Sequence, residues 1–386
     1  MRFREEIGES LTLKFALAAA ERKRNGQKII SLGLGEPDFK VPSPIINATI
    51  KVLEYNNSGY SDSMGILSLR EKIANQLKER NGINSEASNI LITAGAKQAF
   101  QLACMAILEP GDEVVVLNPS FVSFIPQILI AEPEAVIKTI DVSKTDFSLD
   151  LEEIKNIVGL RTKLLIINSP NNPAGYVSSQ SELEQLYQLA IDNDFYIISD
   201  EIYERLMFLN KPHFSIGSLE AVPERVITIN GFSKSHAMTG WRLGYACFPR
   251  QLHSKLIKLQ QHMNTNTCTF IQQAVAESFG FDDSYLTAYN VKLKGRCDGV
   301  ISAFSNMAKV KLVAPSAGFF AFLNISATGL DSNTFCSRLI HETGVATTPG
   351  IAFGKNWDDH VRISFATSDD ILKEGLELMC SFINNI

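Results

Sequence analysis

The chain has 386 residues and a formal net charge of −6, and its 45% apolar and 20% charged residues are ordinary for a soluble globular enzyme of two domains. That balance argues against nucleic acid as a partner, since no Lys/Arg block is longer than Arg22-Lys23-Arg24, and no run approaches the roughly 18 apolar residues of a membrane span. Met1 to Ser10 is charged and lacks the apolar stretch of a signal peptide, and the six cysteines stand singly with no metal-ligand spacing, so a cytoplasmic protein with reduced thiols and no metal is expected.

Leu11 to Arg24 reads as an amphipathic helix capped by Ser10 and stopped near Gly26. Ile90 to Thr93 reads as a buried strand, and the small-residue turn Ala94-Gly95-Ala96 then opens a helix over Lys97 to Leu108. Free backbone N–H groups at such a helix start, here those of Ala96 and Lys97, suit a phosphate, although close packing of strand on helix explains the same glycine. The strand Val114 to Leu117 leads into Asn118-Pro119-Ser120-Phe121, which offers Phe121 either to the core or to a planar ring.

Leu164 to Ile167 is the next strand, followed by Asn168-Ser169-Pro170-Asn171-Asn172-Pro173-Ala174-Gly175, a turn rich enough in Asn and Pro to hold the Asn172 amide rigidly. A helix over Ser181 to Asn193, capped by Ser181 or a neighbouring serine, precedes the strand Phe195 to Ser199. That strand ends in Asp200-Glu201-Ile202-Tyr203, where a buried carboxylate needs a cationic partner unless it only caps a helix. Val226 to Ile229 emerges into Ser233-Lys234, with Arg242 eight residues beyond the lysine. After about Phe281 a further mixed pattern runs to a helix over Asp370 to Ile383.

Short apolar strands joined by helices imply an α/β fold with a mainly parallel, doubly covered sheet. We expect a large domain over residues 48–280 and a smaller α/β domain built from both termini, residues 1–47 and 281–386. The unusual polar residues all follow strands, which is where open α/β sheets bind ligands.

Lys234 and Arg242 then suggest a chemistry. An amine attacks a carbonyl only when deprotonated, and desolvation together with nearby positive charge lowers its pKa. Arg242 supplies that charge and a planar fork for phosphate. A phosphorylated aldehyde needs both, which points to pyridoxal 5'-phosphate. Asp200 would keep the pyridine nitrogen protonated, Asn172 and Tyr203 would reach the ring oxygen, and Phe121 would stack on the ring.

With GLGEPDF at Gly33 to Phe39, GYSDSMGILSLR at Gly59 to Arg70, NSPNNPAG, SDEIY, SKSHAMTGWRLGY and VRISFA at Val361 to Ala366, the chain resembles the fold type I pyridoxal-phosphate enzymes of the class I/II aminotransferases over nearly its whole length. The resemblance implies that Lys234 forms the internal aldimine and that the phosphate is held by Arg242, the amides of Ala96 and Lys97, and Tyr60 from a second subunit of a homodimer. It implies that Arg362 binds the substrate α-carboxylate with help from the Gly35 backbone and Asn172. It implies transfer of an amino group from an L-amino acid to a 2-oxo acid by two ping-pong half-reactions. It also implies cis peptides at Asn118-Pro119 and Asn172-Pro173.

Three positions depart from the pattern. They are Ala174, Phe121, and Gly231 in place of a phosphate-binding Ser or Thr, for which Ser233 is the candidate substitute. Lys40 reads as a solvated lysine or as a contact to a distal carboxylate, and Phe39, Phe319 and Phe320 suit apolar substrates. A lyase or cyclase of the same fold would keep nearly every residue named, and a non-catalytic cofactor-binding regulatory module is the remaining alternative.

Overall fold

The computed structural model describes residues 7–55, 59–209 and 211–386, so the first six residues of the charged Met1–Ser10 stretch lie outside the described residues. Its larger body is built on seven strands, β1 (Ile90–Thr93), β2 (Glu113–Asn118), β3 (Val136–Asp141), β4 (Thr162–Asn168), β5 (Tyr196–Asp200), β6 (Val226–Gly231) and β7 (Gly244–Cys247). They lie in the order β1-β7-β6-β5-β4-β2-β3. The contacts among β2 to β6 are parallel, whereas β7 runs antiparallel to both of its neighbours. Because β7 reverses direction between β1 and β6, the other six strands all end on one edge of the sheet.

Burial on both faces explains why these strands read as continuous apolar runs: every residue of β1, β2, β6 and β7 is buried. Alternate residues serve opposite faces. Val114, Val116, Leu164, Ile166 and Ile198 pack under the helix Ala96–Ile107, while Val115, Leu165 and Ile197 pack under the helix Gln180–Asn193. Each buried Val, Leu or Ile contributes about 1.5–3 kcal/mol, against about 0–1 kcal/mol for an exposed pair such as Lys155–Glu152, so these two layers hold the frame that carries the strand ends.

The smaller body has a four-stranded antiparallel sheet in the order Thr348–Pro349, His360–Ser364, Phe320–Asn324, Lys311–Leu312. The helices Ser284–Phe304, Ser332–Thr343 and Asp369–Asn384 bury Leu293, Val300, Leu339, Leu376 and Met379 with it in one cluster. Ile30–Ser31 pairs in parallel with Val345–Ala346, which ties the N-terminal part to this C-terminal body. Among the described residues no helix is long and apolar enough to cross a membrane.

Local readings differ in detail. The helix Leu11–Arg24 is present, but the Ser10 side chain makes no cap bond and instead meets Thr12 Oγ1 at 2.9 Å. The helix Gln180–Asn193 is capped by Ser179, whose hydroxyl accepts from Glu182 N while the Glu182 carboxylate accepts from Ser179 N. The cis bonds are Asn118-Pro119 and Ser169-Pro170, not Asn172-Pro173. An X-Pro pair in sequence does not say which proline of a Pro-rich turn adopts that isomer.

Candidate active site

The ends of β1, β2, β4, β5 and β6 and the start of β7 carry the residues of the site on one edge. Gly244 lies opposite Thr93 on one side and Gly231 on the other. A Cβ at Gly244 would stand 2.6 Å from both Ala96 N and Gly95 C, so the chain there must be bare for the helix start to sit against the sheet.

The first turn of the helix Ala96–Ile107 has no side-chain cap and no acidic residue, and Gly95 ahead of it takes φ +83°. Over it lies the exposed guanidinium of Arg242, whose Nη2 would be 2.6 Å from a Cβ on Gly95. Nη2 donates to Ala94 O at 3.2 Å and Nη1 to Thr239 O at 2.9 Å. Arg242 adopts φ +55°, a left-handed backbone that turns its side chain back over the helix start. Helix amides, dipole and guanidinium converge as an anion cradle. Lys97 points its amine over the Phe121 ring, 5.6 Å from the centroid, and burial together with Arg242 lowers its pKa.

At the end of β5 Asp200 is surrounded by protein yet keeps a solvent-reached face, as a group lining a cavity does. Burial raises its pKa to about 7, opposed by the Ile202 amide that bonds its Oδ1 at 3.2 Å and reinforced by Glu201. Behind it Glu201 accepts from Ser199 Oγ at 2.8 Å and Ser215 Oγ at 2.7 Å, with His213 Nε2 3.2 Å from its other oxygen. Tyr203 is buried, and burial raises its pKa while Arg362 and Asn172 oppose the rise.

From the loop after β6, Lys234 Nζ donates to Gly35 O at 2.6 Å and lies 5.9 Å from the ring centroids of Tyr203 and Phe319. Burial pulls its pKa down to about 8, with Glu36 and Asp200 opposing and Arg362 and Arg242 assisting. Ser233 beside it is buried.

Arg362 reaches in from the small sheet. Its Nη1 donates to Asn172 Oδ1 at 3.0 Å, its Nη2 to Gly33 O at 2.7 Å, and its plane lies over Phe320, 4.2 Å from the centroid. Burial lowers its pKa to about 10, and its Nε is buried without a partner. An unpaired N–H on a buried cation is costly unless an anion completes it, so a carboxylate is the ligand this group fits. Asn172 itself is fixed by its amide on Asn168 Oδ1 at 2.8 Å, and Asn168 Nδ2 donates to Asp200 O at 2.9 Å.

The residues therefore fit pyridoxal phosphate by their chemistry: an anion cradle, a strand-end carboxylate, an amine lowered toward neutrality, and an amide and a phenol between them. Phe121 flanks the cradle, packed edge-on against Phe124 at 5.6 Å. Tyr60 lies on the surface, 89% exposed. Phe319 and Phe320 are both buried, Phe319 beneath Lys234 and Phe320, on an inner strand of the small sheet, beneath Arg362. Lys40 is exposed.

Sequence reasoning missed the carbonyl of Gly33, the hydroxyl of Thr348 3.3 Å from Arg362 Nη2, Asn168, and the Glu201–His213 support. Gly33, Asn168 and Glu201 lay in stretches already singled out, whereas Thr348 and His213 come from segments whose approach no local pattern records.

The family profile for aminotransferase class I and II matches residues 27–378. The chain is similar to the aspartate aminotransferase of Thermotoga maritima, 38% identical over 98% of each chain. It is also similar to aromatic-amino-acid aminotransferase 2 of Thermococcus litoralis, 36% identical over 91% of this chain and 90% of the other. Among solved structures it is similar to the aspartate aminotransferase of Thermus thermophilus with maleate, at TM-score 0.93 and 33% identity, covering 99% of this chain and 100% of that one.

Proposed function

The chain belongs to the class I and II aminotransferases, which depend on pyridoxal phosphate, and on that premise we propose that this site carries the amino group of an L-amino acid to a 2-oxo acid in two ping-pong half-reactions. One observation carries the reading. Lys234, an amine whose pKa burial lowers to about 8, shares its surroundings with the strand-end carboxylate of Asp200 and with the buried guanidinium of Arg362, whose Nε has no hydrogen-bond partner.

When bound, the cofactor supplies the electron sink that makes the substrate Cα–H acidic. Arg242, Ser233 and the amides of Ala96 and Lys97 would hold its phosphate, Asp200 its ring nitrogen, Asn172 and Tyr203 its ring oxygen, and Phe121 one face of the ring. Arg362 grips the α-carboxylate, aided by Asn172 and the Gly35 backbone, and thereby aims the Cα–H bond at Lys234. Lys234 Nζ takes the proton from that Cα. In the second half-reaction the amino group kept from the donor would pass to C2 of the incoming 2-oxo acid, whose carbonyl oxygen would leave as water, and Lys234 Nζ would deliver the proton to that carbon, so that the acceptor leaves as the new amino acid.

The named relatives act on aspartate or on aromatic amino acids, and these are the donors to try first. We assign the working form as a homodimer in which Tyr60 of one copy reaches the phosphate in the other. Six unpaired cysteines support a reducing, cytoplasmic setting. The test is the visible absorption of the purified holoenzyme. A yellow band that bleaches with one amino acid and returns with a 2-oxo acid supports the proposal. Ammonia released without an acceptor points to a lyase and overturns it.

A further inference from the structure

The turn from Gly33 to Phe39 has no regular secondary structure, so its shape depends on what grips it from outside. One end is held from the small sheet, where Arg362 Nη2 donates to Gly33 O at 2.7 Å and Ser364 N to Leu32 O at 2.6 Å. The other end is held by the helix Ser284–Phe304. Asp38 Oδ1 accepts from the Tyr289 hydroxyl at 2.9 Å and from Arg296 Nη1 at 3.0 Å, and its Oδ2 lies 2.9 Å from the same Nη1. The Phe39 ring packs on Tyr289 with centroids 4.1 Å apart.

Arg296 is a fixed post rather than a solvated arm. Its side chain is 9% exposed and its Nε donates to the largely exposed Asp369 at 2.7 Å, while the Asp38 side chain is 24% exposed, so the guanidinium is held at two points although solvent reaches both carboxylates. Tyr289 is buried beside it.

Between the two anchors stands Gly35. Its carbonyl accepts Lys234 Nζ at 2.6 Å, and its Cα is so near the floor that an added Cβ would be 3.3 Å from Phe320 Cζ, on the ring that underlies Arg362. The height of this turn therefore sets both the lysine contact and one wall of the carboxylate pocket.

We infer that Asp38 is a positioning residue for substrate binding: held by Tyr289 and Arg296, it fixes the Gly33–Phe39 turn so that the Gly35 main chain completes the site that Arg362 offers to the α-carboxylate. This rests on the function proposed above. It is separate from the phosphate cradle, because Arg242 and the helix start lie on other elements.

The experiment compares the wild-type holoenzyme with Asp38→Asn, which keeps the shape and removes the charge, and with Tyr289→Phe, which keeps the ring on Phe39 and removes one hydrogen bond. The donor is whichever of aspartate, glutamate, alanine, phenylalanine and tyrosine bleaches the wild-type band fastest. The second probe is its α-methyl analogue, which has no Cα proton to lose, so that its dissociation constant, read from the absorption change, reports binding alone. Asp38→Asn should weaken analogue binding about 10-fold and Tyr289→Phe about 3-fold, with the donor KM rising in parallel while the maximal half-reaction rate stays within about threefold. Cofactor affinity and melting temperature should stay near wild type. Analogue binding unchanged in both variants overturns the inference, and so does a joint fall of cofactor affinity, melting temperature and analogue binding, which marks a merely structural role. Failure of the wild-type band to bleach with any donor counts instead against the proposed function itself, and the inference falls with it.

Discussion

At the residue scale, Lys234 and Asp200 are both held away from their ordinary protonation. Lys234 is drawn down to about 8, so a useful fraction of its amine is neutral near physiological pH, and Lys234→Ala should lower the half-reaction rate by about 10²–10⁴-fold while the variant still binds cofactor through the phosphate cradle. Rapid-mixing absorbance measures both quantities. Asp200 has the opposite sign. Its folded pKa of about 7 lies above the unfolded value of 3.8, so ionising it costs stability that is intact below about pH 4 and lost as pH rises through 7. Cofactor-free Asp200→Asn should therefore melt higher than wild type at pH 7.5, with the difference closing toward pH 4, while the loaded variant loses about 100-fold or more in rate. A lower melting temperature for that variant at pH 7.5 would show that Asp200 is a structural anchor. These two residues were legible in sequence because each stands where an apolar strand gives way to polar residues. The free Nε of Arg362 was not, since only its neighbours in space, Gly33, Asn172 and Thr348, show which donor is left over.

At the scale of elements, the apolar runs announced most of the central sheet and the edge on which the site gathers. The reversal of β7 was not legible, because Gly244–Cys247 is short and as buried as the parallel strands of the sheet, and direction is fixed by which strands flank it. That reversal explains Gly231. A Cβ there would stand 2.9 Å from Gly244 Cα and 3.0 Å from Leu243 O, both backbone atoms of the antiparallel neighbour. What reads in sequence as a missing phosphate-binding hydroxyl is a close approach of two strands. Gly231→Ser should accordingly destabilise the protein by about 1–3 kcal/mol in denaturant unfolding and weaken cofactor binding by displacing the strand that leads to Lys234. Tighter cofactor binding with unchanged stability would mean that the strands part easily and that the hydroxyl was the missing element. The turn Gly33–Phe39 carried a recognisable motif, yet its anchors on the helix Ser284–Phe304 lie some 250 residues away in sequence, at separations of 251 for Tyr289 and 258 for Arg296.

At the scale of the whole molecule, Ile50, Leu53, Tyr55 and Tyr60 are all more than half exposed and lie within eleven consecutive positions. Such grouped apolar exposure is expected of a surface covered in solution. We predict a dimer by sedimentation, with Tyr60→Phe weakening cofactor binding about 3- to 10-fold through one lost hydrogen bond to a charged group; a monomer with full cofactor affinity would contradict this. The division into a body over residues 48–280 and a second body from both termini remains a proposal that limited proteolysis of the connecting segments tests. Transamination is tested by following the amino group itself. Holoenzyme is given an amino acid labelled with ¹⁵N, from the acidic or aromatic donors, together with an unlabelled 2-oxo acid. The label is expected in the amino acid formed from that acceptor, and Lys234→Ala should abolish the transfer. Label released as ammonia, or transfer that survives the loss of Lys234, would contradict it.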